Sequence, residues 1–104
     1  MSEYKQIDIH EVNEMLSQPV IIVDIRNPMD YEQGHIANAV SLTDTNLKEF
    51  FTKTDKEKPL ICYCYHGISS RSAADFLNKQ GFGKVYSMQG GFEAWKTAYP
   101  VSKP

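Results

Sequence analysis

The run Leu60-Ile61-Cys62-Tyr63-Cys64-Tyr65-His66-Gly67-Ile68-Ser69-Ser70-Arg71-Ser72-Ala73-Ala74 constrains this chain more than any other stretch. Its apolar residues before Cys64 suit a strand covered on both faces. Ser69, Ser70 and Ser72 are helix-start residues, and Ala73, Ala74, Phe76 and Leu77 then recur with helical spacing. The spacing predicts a strand that ends at a cysteine, a tight loop and a helix over about 70–80. A thiol so placed lies over unpaired backbone N–H groups at a helix N-terminus, where those donors and the helix dipole stabilise an anion. They are expected to lower the thiol pKa from its usual value of about 8.5. Cys64 is therefore a candidate nucleophile, and the loop after it a candidate anion cradle.

The rest of the chain alternates strand and helix signals, which predicts an α/β fold with a mostly parallel sheet. A short polar lead precedes Ile7. Asp8-Ile9-His10-Glu11 resembles a capping box, and Ile9, Val12, Met15 and Leu16 share one helical face. Pro19 turns the chain into Val20-Ile21-Ile22-Val23, a β-branched run suited to a central strand. Pro28 can open a short helix that Gly34 closes. Ala39-Val40-Ser41-Leu42 reads as a short strand and 43–54 as a helix with Leu47, Phe50 and Phe51 inward. Asp55-Lys56-Glu57-Lys58-Pro59 is a solvated connection. Gly81-Phe82-Gly83 stops the helix after Cys64, and Val85-Tyr86-Ser87-Met88 is the last strand. Gly90-Gly91 allows a tight turn into a final helix carrying Phe92, Trp95 and Tyr99 on one face, each read as core.

At 104 residues the chain is expected to form one domain, residues 1–104, with a core of its own. A net charge of −2 gives no pull towards nucleic acid or anionic membrane. No apolar stretch approaches the roughly 20 residues of a membrane span, and the polar start Met1-Ser2-Glu3-Tyr4-Lys5 is unlike a secretory signal. The expected address is the cytoplasm. The only cysteines, Cys62 and Cys64, point to one side of the predicted strand with Cα atoms roughly 6.6 Å apart. A disulfide there would distort the strand. Without a second Cys/His pair nearby they make a poor zinc site. Cys62 reads as a small buried hydrophobe.

Three patterns in order carry a family resemblance. The first is Asp24-Ile25-Arg26 followed by Asp30-Tyr31-Glu32-Gln33-Gly34-His35-Ile36-Ala37-Asn38-Ala39. The second is Cys64-Tyr65-His66-Gly67-Ile68-Ser69-Ser70, and the third is Gly90-Gly91-Phe92-Glu93-Ala94-Trp95. Over about 7–100 the chain resembles a single-domain rhodanese, a thiosulfate sulfurtransferase, of the small bacterial GlpE type. The resemblance implies a three-layer α/β sandwich with a five-stranded, mostly parallel sheet and helices on both faces. It implies that Cys64 takes sulfane sulfur from a donor such as thiosulfate and holds it as a persulfide. A thiophilic acceptor then removes the sulfur: cyanide, a thioredoxin-like dithiol or another protein thiol. No cofactor or metal is implied. The backbone N–H groups of Tyr65 to Ser69 are expected to encircle the outer sulfur, with Gly67 letting the loop turn. Ser69 and Ser70 can add hydroxyl donors or cap the helix, and Tyr65 and His66 are expected at the rim.

The loop departs from the family pattern at one point. Many rhodaneses carry an arginine five positions after the cysteine, and here that position is Ser69. Arg71 lies two residues further on, so anion affinity is expected to be modest. Asp24 and Arg26 are possible supporting residues, with an ion pair from this motif to Asp30 or Glu32 expected to be structural. Arg26 can also lend positive potential near Cys64. His35 reads as a satisfied turn histidine. Two other functions stay open. A phosphatase or arsenate reductase of related fold uses an arginine six positions after the cysteine, and Ser70 stands there. A persulfide carrier or partner-binding module would turn over little thiosulfate.

Overall fold

The computed structural model describes residues 3–103. Ten elements follow one another: β1 (Lys5–Ile7), α1 (Ile9–Met15), β2 (Ile21–Asp24), α2 (Pro28–Gln33), β3 (Val40–Ser41), α3 (Leu47–Lys53), β4 (Leu60–Tyr63), α4 (Ser69–Lys79), β5 (Val85–Met88) and α5 (Gly91–Ala98). The strands form one sheet in the order β1-β5-β4-β2-β3, and every pairing is parallel. The expected five-stranded sheet is thus present, and β4 lies at its centre with all four residues buried.

Strand alternation divides the core in two. Ile61 and Tyr63 of β4 face the layer formed by Val12 of α1 and Phe92 and Trp95 of α5, with Ile22 and Met88 beside them. Leu60 and Cys62 face Phe50 of α3 and Ala74 and Leu77 of α4, with Val23, Phe82 and Val85. Helices therefore cover both faces, which explains why β2 and β4 read as continuous apolar runs.

Local signals act where expected at several ends. Asp8 caps α1 by accepting from the Glu11 amide at 2.9 Å, and Pro28 opens α2 behind the Asn27 cap, which accepts from the Met29 amide at 2.9 Å. Gly34 closes α2. Other bounds differ from expectation. The polar lead includes β1, which pairs Lys5, Gln6 and Ile7 with Tyr86, Ser87 and Met88. The helix expected over 43–54 is shorter, because Asn46 uses its side chain on the Ser41 carbonyl and the Thr43 amide. Phe76, expected on the buried face of α4, is 44% exposed and leans on Phe51.

From β2 the chain steps outward to β3, then crosses to β4 and continues to β5 on the other side. The segments leaving β2 and β4 thus diverge at the carboxyl ends of adjacent strands. Open α/β sheets place ligands in such crevices. The Asp24-Ile25-Arg26 segment and the Cys64 loop both leave the sheet there.

Candidate active site

Cys64 is the first residue beyond β4 and is 4% exposed. Its Sγ accepts hydrogen bonds from the Gly67 and Ser70 amides, both at 3.2 Å. Burial alone pushes this thiol up. The Ser70 side chain and amide, followed by the Gly67 and His66 amides, outweigh burial and hold its pKa below the ordinary thiol value. The Ser70 amide is an orphan donor of the first turn of α4, so towards it the sulfur does what a capping side chain does elsewhere, while the Gly67 and His66 amides come from the loop before the helix. The expected capping by serine is corrected accordingly: α4 begins behind Ile68 without a side-chain cap. Ser70 Oγ instead lies 2.7 Å from Ser87 Oγ, and both residues are buried.

Gly67 and Ser70 bond the sulfur, with the His66 amide contributing. Gly67 has φ +87°, and a Cβ there would lie 2.8 Å from the Gly90 nitrogen and 3.0 Å from the Met88 carbonyl oxygen. Tyr65, His66, Ile68 and Ser69 are exposed, which places Tyr65 and His66 at the expected rim. Tyr65 does not swing free: its hydroxyl donates to the Asp30 carboxylate and accepts from the Asn27 amide. Arg71 is exposed on α4 with Nε 3.5 Å from the Ile68 carbonyl, outside the cradle.

Cys62 lies within β4, two residues before Cys64, and packs beneath α3 and α4. Its Sγ donates to the Ser70 carbonyl at 3.3 Å. Burial, and secondarily Cys64, push its pKa up, so it stays a thiol. Both cysteines are free.

Arg26 does not reach out to Asp30 or Glu32 as expected. Its guanidinium folds back on Asp24, with Nη2 2.7 Å from Oδ2 and Nε 3.1 Å from both oxygens. Nη2 also donates to the Gly34 carbonyl at 2.6 Å, and the group lies over the Phe92 ring at 4.0 Å. Asp24 further accepts from the Arg26 amide and from the Tyr63 hydroxyl, both at 2.8 Å. Tyr63 accepts in turn from the Ile36 amide at 3.1 Å. This buried network ties the end of β2 to β4, to the turn after α2 and to α5. His35 is satisfied, with Nδ1 2.8 Å from the Tyr31 carbonyl and its ring stacked on Tyr31.

One layer of the site is absent from the sequence reading. The Phe92 amide donates to the Cys64 carbonyl at 2.8 Å and the Glu93 amide to the Tyr65 carbonyl at 3.0 Å. The start of α5 thus holds the loop carbonyls outward and leaves its amides free to turn onto sulfur. Gly91 makes this approach possible, since a Cβ there would sit 2.4 Å from the Tyr65 carbonyl oxygen. The Gly90-Gly91 pair is the available signal, and by itself it announces only a turn. Among the described residues no three His, Cys, Asp or Glu side chains come together as a metal site.

A thiol buried at a helix N-terminus, ringed by amides and backed by a second helix start, can hold a thiolate and can hold a charged sulfur added to it. A family model described as rhodanese-like domain matches residues 8–98. This chain belongs to the rhodanese family. A relative from Coxiella burnetii (strain RSA 331 / Henzerling II), named thiosulfate sulfurtransferase GlpE, is 50% identical over 100 residues, 95% of this rhodanese and 94% of that protein. One of the same name from Pseudomonas syringae pv. syringae (strain B728a) is 43% identical, covering 96% and 94%. The fold matches the crystal structure of a rhodanese-related protein from Thermoplasma volcanium with a TM-score of 0.82 at 27% identity, covering 97% of this rhodanese and all of that chain. A rhodanese-like domain protein from Staphylococcus aureus matches in fold with a TM-score of 0.81, covering 96% and 98%. No helix among the described residues is long and apolar enough to cross a membrane.

Proposed function

We propose that this rhodanese is a thiosulfate sulfurtransferase that carries sulfane sulfur on Cys64. The observation that carries the reading is the pair of amides, Gly67 and Ser70, that meet Cys64 Sγ at the start of α4. The Cys64 thiolate attacks the outer sulfur of thiosulfate. The new S–S bond forms as the old one breaks, and sulfite leaves with the electron pair. The persulfide anion then occupies the loop, where amide donors offset its charge. Cyanide removes the outer sulfur as thiocyanate and restores the thiolate. A dithiol protein of thioredoxin-like kind serves equally: one thiol takes the sulfur, and the second expels hydrosulfide as the disulfide closes. Both routes are two-step and covalent, so ping-pong kinetics follow.

A second reading, a persulfide carrier charged by another persulfide rather than by thiosulfate, is favoured by the rim. Ile68 in the loop is 65% exposed, and Met29, on the turn of α2 that holds Tyr65, is 73% exposed. An apolar rim suits a protein thiol better than an inorganic anion. The phosphatase reading loses its support, because Ser70 stands where that chemistry needs an arginine and Arg71 lies on the Ile68 carbonyl.

The test is the intact mass of the protein after thiosulfate, beside Cys64→Ser. A gain of one sulfur atom, absent in the variant and removed by cyanide, is expected. A gain with glutathione persulfide alone selects the carrier, and no gain with any sulfane donor removes both readings.

A further inference from the structure

The strand β5 contributes a residue to the cradle that no loop motif contains. Ser87 is 1% exposed in the middle of an otherwise apolar strand, between Tyr86 and Met88. Its neighbour on the same face, Val85, lies in the core beneath α4. A hydroxyl at such a position needs a partner. Among the described residues, the partner of Ser87 Oγ is Ser70 Oγ at 2.7 Å, and Ser70 is itself fully buried.

Two facing hydroxyls share one hydrogen, so the direction of the bond matters. If Ser70 donated, the Ser87 hydrogen would be left in the core without an acceptor. If Ser87 donates, the Ser70 hydrogen is free to turn to Cys64 Sγ, on which the Ser70 amide already bears at 3.2 Å. The second arrangement gives the Ser87 hydrogen an acceptor and leaves the Ser70 hydrogen for the sulfur. We propose that Ser87 is a positioning residue, its hydroxyl donating to Ser70 Oγ so that the Ser70 hydroxyl donates to the sulfur of Cys64. This rests on the reading of Cys64 as the sulfur-carrying residue and extends its surroundings from the loop to the sheet. The relay spans β5, α4 and the end of β4. It adds one donor to the amide ring without adding a charge. The Ser70 hydroxyl is among the groups that lower the Cys64 pKa, which agrees with that donor direction. The ionisable groups near the cradle include Cys62 on β4, Tyr65 and His66 in the loop, Arg71 on α4 and Glu93 on α5. Of these, Cys62 bonds Ser70, and it does so at the carbonyl rather than the hydroxyl.

The experiment is iodoacetamide alkylation of Cys64 against pH in the whole protein, with Ser87→Ala, Ser70→Ala, the double variant and Ser87→Thr. Ser87→Ala is expected to raise the titration midpoint and slow alkylation below it by roughly threefold to tenfold, the order of one hydrogen bond between neutral groups. Ser70→Ala should do the same, with the double variant no worse than Ser70→Ala alone. Ser87→Thr, which keeps the hydroxyl, should restore the midpoint. An unchanged midpoint in Ser87→Ala, even with a lower melting temperature, overturns the proposal, as do two shifts that simply add. This titration requires no sulfur donor. Failure of wild-type protein to gain sulfur would therefore strike the function of Cys64, whereas failure of the shift would strike Ser87 alone.

Discussion

Two thiols two residues apart, one in the central strand and one just beyond it, meet opposite surroundings. Cys62 offers its hydrogen to the Ser70 carbonyl, and burial keeps it protonated. Cys64 is held below the ordinary thiol value by the Ser70 side chain together with the Ser70, Gly67 and His66 amides, which outweigh burial. Alkylation follows the thiolate fraction, so the Cys64 rate should rise with pH and level off above a midpoint lower than the ~8.5 of a free thiol. Below that midpoint it should fall about tenfold per pH unit. Peptide mapping should find Cys62 unlabelled until urea is added, and labelling of Cys62 in the native protein would contradict its burial. Asp24 is a residue of a different kind. It neutralises a guanidinium whose side chain is 4% exposed and also receives the Tyr63 hydroxyl. Asp24→Asn leaves that cation buried with its carboxylate gone, so a loss of about 3–5 kcal/mol is expected in urea unfolding. A cost below about 1 kcal/mol, the range of an exposed pair, would show that the network is not what holds the end of β2.

At the scale of elements, the site is a junction of two helix starts, α4 donating to sulfur and α5 donating to the carbonyls behind it. Gly91 is where the second helix reaches the loop, at φ +63°. Gly91→Ala must push α5 and the loop apart, and a displacement of about 1 Å costs on the order of a hundredfold in rate. Thiosulfate–cyanide turnover should fall by that order, while Gly83→Ala, whose Cβ meets nothing within 4 Å, should leave it unchanged. Equal effects of the two would mean that the α5 contact does not shape the loop. The elements that the sequence announces are those whose residues carry their own reason. β2 and β4 are apolar because both faces are covered, and α2 has a proline at its start and a glycine at its end. β1 is illegible because Lys5 and Gln6 are exposed and its place is fixed by backbone bonds to β5, which leave no mark on side chains. The loop cysteine is legible from its position between strand and helix. The Ser70–Ser87 contact is not, since it joins residues 17 apart through a sheet register that no local pattern encodes. The Asp24-Ile25-Arg26 motif is legible only in part. It announces an ion pair, but the chain's turn at the end of β2 decides that the arginine closes on its own neighbour.

For the whole molecule the decisive property is how little positive charge the fold brings to its anion cradle. The chain has a net charge of −2 and two arginines. One is spent on Asp24 and the Gly34 carbonyl, and the other sits outside the cradle on the Ile68 carbonyl. Lys53, Lys79 and Lys96 are paired on the surface with Glu49, Asp75 and Glu93. Recognition of a doubly charged donor therefore falls to backbone amides, which are strong at contact range but exert little pull at a distance. The expected consequence is a KM for thiosulfate at or above about 1 mM, the upper end of the usual range for enzymes. The covalent step itself should remain intact, because the thiolate depends on the amides and not on net charge. Ser69→Arg restores a guanidinium at the exposed position where many rhodaneses carry one. It should lower KM by about fivefold, the order of a ~1 kcal/mol charge interaction near water, with kcat little changed. The gain should shrink as salt shortens the screening length, which is about 10 Å at 0.1 M and about 3 Å at 1 M. A micromolar KM in the unaltered protein would mean that the amide ring alone binds the donor tightly. A fall in KM that survives salt of about 1 M would mean that the introduced guanidinium acts by direct contact rather than through the field it adds.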